Sequence, residues 1–188
     1  MLKIVAIALR AFLVIFGAIV LGLSVTLAKQ QVIGSPPAET SFFSFAGAFG
    51  LIASAIAILA ILIEKIPRVG VIAVDALSSL FYLAGAIALT IALKPVSSCT
   101  SSSALARDQR YANKLLNGGC KHTKDDGLYC PNAGSGTGDK GDSYTSGRCQ
   151  EVQADYVFGY IAFVFGVASI IVMLLTQRRG GTTTATYV

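Results

Sequence analysis

The sequence predicts an all-α membrane protein: a four-transmembrane-helix bundle with a disulfide-bearing extracellular loop between helices 3 and 4. Three observations predict it. Four apolar runs, at about residues 4–28, 42–63, 69–93 and 155–175, are each long enough at ~1.5 Å per residue to cross a hydrocarbon layer of ~30 Å. All four cysteines lie in the one long hydrophilic stretch, 94–152. Mean hydropathy is +0.67 and 13% of residues are charged, where soluble domains run near ~25%, so lipid is the natural solvent of this chain.

The first span carries Lys3 and Arg10 near its start. Its apolar run is about twice the core of a signal peptide and is interrupted by Arg10, so it is expected to be kept as a span. Gly34, Ser35, Pro36 and Pro37 turn the chain, and Thr40 or Ser41 is placed to cap the second helix. The second span opens with Phe42, Phe43 and Phe45. It continues with Gly47, Ala53, Ala57 and Ala60, small residues that let another backbone approach closely in lipid. Glu64, Lys65, Pro67 and Arg68 then make a tight polar turn into the third span, so spans two and three form an antiparallel hairpin.

The third span, 69–93, contains a single charge, Asp75. An ionised carboxylate there costs about 3 kcal/mol on insertion scales and needs a partner. Asp75 lies ~9 Å along its helix and Arg10 a comparable distance along the first. The two are expected to form an intramembrane charge pair between antiparallel neighbours. A proton or ion pathway through Asp75 would want further polar groups near mid-membrane. A small transporter or channel subunit is therefore the competing functional class.

From Lys94 to Val152 the chain is hydrophilic and is expected to be a solvated loop, with a short amphipathic helix over Ala104–Leu116. Cys99 follows span three and Cys149 precedes span four. Of the three connectivities open to four cysteines, the nested one is expected: Cys99 with Cys149, and Cys120 with Cys130. A zinc site from Cys120, His122 and Cys130 lacks a second ligand pair. In the fourth span Gly159, Ala162, Gly166 and Ser169 are expected to face a neighbour, with Tyr156 and Tyr160 near one interface. Asp155, at the outer end of that span, is expected to serve as a helix cap. Residues 180–188 are expected to form a disordered cytoplasmic tail.

Orientation follows from charge. Lys3, Arg10, Lys65, Arg68, Arg178 and Arg179 share one side, against Lys29 and Lys94 at the opposite span ends, so both termini are expected in the cytoplasm. Cysteines gathered in the loop imply an oxidising compartment for it. The net charge of +5 is scattered over loops and tails and forms no stripe for nucleic acid.

Other motifs are weak. Gly136, Gly138 and Gly141 satisfy GxGxxG without a preceding strand. Asp125, Asp126, Asp139 and Asp142 lack a calcium-loop pattern. Thr186-Tyr187-Val188 matches a C-terminal peptide of the kind PDZ domains capture. No nucleophile neighbours the single histidine and no carboxylate pair has catalytic spacing, so neither an enzyme nor a cofactor is expected.

Val74-Asp75 followed by Phe81 and Ala84-Gly85, Ser98-Cys99, and Arg148-Cys149 with Gln153-Ala154-Asp155 carry a resemblance over most of the chain. It resembles the fungal MARVEL-domain membrane proteins, particularly the non-classical export protein group. The loop with Cys120 and Cys130 is longer than that pattern. The resemblance implies a plasma-membrane organiser of microdomains, linked to trafficking. Its implied partners are membrane lipids, including sphingolipid- or sterol-rich domains, other membrane proteins and further copies of itself. Tetraspanins share the loop position but carry a Cys-Cys-Gly motif absent here. Claudin-like proteins carry tryptophan in their large loop, and this chain has none.

Overall fold

A computed structural model describes residues 2–62, 68–123, 127–133 and 139–180. The GxGxxG glycines 136 and 138, Asp125 and Asp126, the turn residues 64–67, and the tail with its Thr-Tyr-Val end lie outside the described residues. Four of its helices are long and apolar enough to cross a membrane. They are α1 (Leu2–Lys29), α2 (Ala38–Leu62), α3 (Arg68–Leu93) and α5 (Asp139–Gly180), while α4 (Ala104–Ala112) and a hairpin of β1 (Lys121–Thr123) and β2 (Gly127–Tyr129) belong to the loop.

Each long helix buries one stripe at three- and four-residue spacing. On α1 the stripe is Arg10, Leu13, Gly17, Val20, Ser24 and Leu27; on α3 it is Val71, Asp75, Ser78, Tyr82, Ala86, Leu89 and Leu93. That spacing keeps one face turned inward along a nearly antiparallel bundle. The opposite faces expose Ile4, Phe12, Ile52, Leu80, Ile91 and Val164, which lipid would cover. The helices pack as a ring in the order α1, α2, α3, α5 and back to α1. Thus α1 and α3 stand diagonally opposite and run in the same direction, a correction to the expectation that Arg10 and Asp75 sit on antiparallel neighbours.

Small residues set how closely the ring closes. A side chain at Gly47 would meet the α1 backbone at Leu21. Tyr82 lies against Gly17 and Gly50, and Phe43 fills the space left by Gly85 and Gly159. The expected inward face of the fourth span is observed: Ala162 and Ser169 are buried and Gly166 abuts Ser79.

Two boundaries differ from expectation. Helix α2 starts at Ala38, its first backbone bond running from Ser41 N–H to Pro37 O. Thr40 and Ser41 are therefore inside the helix. Proline fixes the preceding geometry and loses no needed N–H at that point. Helix α5 starts at Asp139 and runs 42 residues without a break, about 63 Å and twice the hydrocarbon thickness. Asp155 is thus well inside a helix, and the helix-cap role assigned to it is corrected: the backbone N–H groups around it are already engaged within the helix. The hydrophilic segment before it is helical because Gly141, Thr145, Arg148, Cys149 and Val152 continue the buried stripe of the span.

Candidate functional site

Two buried polar layers cross the bundle interior. In the layer nearer the termini, Arg10 Nη1 donates to Asp75 Oδ1 at 2.6 Å and Nη2 pairs with Oδ2. Both residues are at most 5% exposed. The guanidinium reaches across the centre of the ring, and its planar fork satisfies both carboxylate oxygens, the geometry that compensates desolvation best. Next to it, Leu13, Ser54, Ser78, Ser79 and Tyr82 surround a void of about 10 Å³. Among the described residues the Tyr82 hydroxyl, buried there, has no hydrogen-bond partner.

The second layer is Ser24 on α1 donating to Asp155 Oδ2 on α5 at 2.5 Å. Asp155 is fully buried, and among the described residues its Oδ1 has no partner. Arg10 and Ser24 are 14 residues apart on one helix, so the layers are separated by about 21 Å. Phe43 stands between them, wedged against Gly85 and Gly159, which lie one turn from Tyr82 and from Asp155 respectively.

The loop folds into a head over the end of the bundle away from the N-terminus. Cys99 is bonded to Cys149 with Cα atoms 5.3 Å apart, and Cys120 to Cys130 at 4.2 Å. The first bond ties the end of α3 to α5. The second removes the thiolates that a zinc site with His122 would require. Among the described residues no cluster of metal-ligating side chains occurs. Helix α4 is capped by Ser103, whose Oγ accepts from Ala106 N–H. It is held to α5 by Asp142, which pairs with buried Arg110 and, at 3.3 Å, with Arg107.

At the centre of the head is Arg148, 3% exposed. It donates to Leu115 O at 2.7 Å, to Gln30 Oε1 at 2.7 Å and to Leu27 O at 3.3 Å. Leu27 O belongs to the last turn of α1, where carbonyls lack helical partners, so the arginine closes α1, the segment after α4 and α5 into one unit. Tyr144, one turn away, lies under the guanidinium at 5.6 Å and donates to Gln30 O. The chain passes so closely that Gly119, at φ +93°, has no room for a side chain beside Ile33 O.

In the sequence, Arg148 stands out only through a family likeness. Its position on the buried stripe, seven residues before Asp155, was the available physical signal. Glu39 was missed as well. It lies in the first turn of α2, with Oε1 3.8 Å from Lys114 Nζ. Together they border a cleft of about 390 Å³ between the start of α2, the end of α3 and the end of α4.

Comparison with known proteins gives one family. The model of the MARVEL membrane-associating domain matches residues 3–172. No curated protein and no solved structure matches the chain.

Proposed function

The chain belongs to the MARVEL family of membrane-associating domains, and from that premise we propose that it is a lateral organiser of membrane, gathering lipids or partner proteins around a closed bundle. The observation that carries this reading is the filled interior. Phe43 and Tyr82 occupy the axis, and both oxygens of Asp75 are committed to Arg10. A transporter needs a site its cargo can reach and leave, so these features favour organisation over the transport alternative. The exposed groups are instead the apolar lateral faces of the helices, available to lipids, to partner proteins or to further copies of the chain.

In this proposal the disulfide-bearing head is extracellular, since disulfides persist in oxidising compartments. The termini are then cytoplasmic, the membrane is the plasma membrane, and the role is non-catalytic. The likeness to the fungal non-classical export group supports a place in microdomains and a link to trafficking. Reconstitution into sealed vesicles tests the proposal. The expected result is clustering with particular lipids and no solute or proton flux. Flux abolished by Asp75→Asn would overturn it.

A further inference from the structure

The cleft beside Glu39 is built for more than an ion pair. It is bordered by Glu39, Ala92, Pro95, Ala112, Asn113 and Lys114 among others, and its 390 Å³ falls within the range of small-ligand sites. The Glu39–Lys114 contact is slack at 3.8 Å and engages only Oε1. Among the described residues Glu39 Oε2 is buried without a hydrogen-bond partner, and a buried acceptor left unmade is costly. Lys114 is 76% exposed along its side chain, with an ammonium free to turn.

The cleft also sits at the top of an aromatic strip. Below Glu39, one side of α2 presents Phe42, Phe45 and Phe49. Their rings gather on Phe81 of α3 at centroid distances of 5.9, 5.5 and 5.2 Å. Phe42 and Phe45 are exposed. Ten residues from Glu39 to Phe49 span about 15 Å, the depth of one leaflet.

We propose that this cleft is the headgroup site of a phospholipid whose head carries both a phosphate and a primary ammonium, its acyl chains lying along the strip of Phe42, Phe45, Phe49 and Phe81. The phosphate accepts from Lys114, and the ammonium takes the lysine's place on the Glu39 carboxylate at Oε1, each a charge-assisted bond at the edge of lipid. A choline head has no N–H to donate. A sterol hydroxyl would leave Lys114 unmatched and most of the cleft unfilled. The inference rests on the reading of the chain as a lipid-associating organiser and names the lipid.

Native mass spectrometry of the full chain, titrated with phosphatidylethanolamine and phosphatidylcholine of identical acyl chains, tests it. The expected result is about tenfold tighter retention of the ethanolamine lipid, the size of one charge-assisted hydrogen bond. Glu39→Gln should abolish the preference, whereas Lys114→Ala, which removes the partner of the phosphate both lipids share, should weaken retention of both. Asp108→Asn, an exposed acid on α4, should leave it intact. Equal retention by the natural chain, a preference that survives Glu39→Gln, or retention of both lipids untouched by Lys114→Ala would overturn the proposal. Lys114 is exposed, so its variant reports phosphate binding, through the retention of both lipids, even where Glu39→Gln fails to fold. Clustering in vesicles is scored separately: clustering without headgroup preference ends this inference and leaves the organiser reading standing, whereas preference without clustering does the reverse.

Discussion

Arg10 and Asp75 meet across the diagonal of the bundle, although the helices that carry them are not packed against each other. The pair therefore acts as a cross-brace between opposite corners of the ring. Removing one partner strands a charge in a low-dielectric interior, at a cost of about 3–5 kcal/mol, whereas replacing both with apolar residues is often neutral. Asp75→Ala should lower detergent-solution stability by that amount, and Arg10→Met with Asp75→Leu should recover most of it. Thermal unfolding of the three chains reads the difference; a single variant as stable as the natural chain would refute the brace.

Tyr82 and Gly50 make a second coupled pair. A Cβ at Gly50 would run into the Tyr82 ring and hydroxyl, so Gly50→Ala should destabilise by about 1–3 kcal/mol through overpacking. Tyr82→Phe removes a hydroxyl that has no hydrogen-bond partner among the described residues and should itself cost about 1 kcal/mol or less. It should also relieve part of the Gly50→Ala penalty. A double-mutant cycle on unfolding midpoints checks the coupling.

The two disulfides should contribute unequally. They close segments of 50 and 10 residues, and on the chain-entropy model the longer is worth about 4 kcal/mol against about 2.7 for the shorter. Replacing Cys99 and Cys149 with serine should lower the unfolding midpoint more than replacing Cys120 and Cys130.

Arg148→Met should free the head without dissolving the bundle. Five donor contacts to Leu27, Gln30, Leu115 and Tyr144 disappear, and buried carbonyls lose partners at roughly 1–3 kcal/mol each. Limited proteolysis between α4 and α5 should accelerate while the spanning helices stay protected. Arg148→Lys should not rescue, because a point charge cannot reproduce the fork.

Asp155 offers a test of position. Inside α5 its carboxylate accepts, among the described residues, from Ser24 alone, so Asp155→Asn, which keeps an acceptor and adds donors, should change stability by less than about 1 kcal/mol. Ser24→Ala should cost more than Asp155→Asn. Equal and large losses from both would argue for a charge requirement at this site.

The four spans and the approximate depth of Arg10 and Asp75 were legible because lipid imposes long apolar runs on a chain, and a charge within such a run declares itself. Residues 139–151 were not legible as helix for the complementary reason: their buried positions are Gly141, Thr145, Arg148 and Cys149, a helical stripe written in polar and small residues that no hydropathy window detects. The diagonal placement of α1 and α3 was hidden because periodicity says which face is buried and not which neighbour buries it. Glu39 carries no comparable signal, since an acid at a helix start is accounted for by the dipole alone; its contact with Lys114 joins residues far apart in sequence, beyond the reach of local pattern.

Helix α5 is a single rod from the head to the far surface of the bundle, without proline and with its outer third bolted to α3 and α1 through Cys149 and Arg148. Such a shaft has no joint at the water–lipid boundary. Leaning the outer head and leaning the buried span are then one and the same movement, and anything that grips the head steers the orientation of the helix among its lipid neighbours.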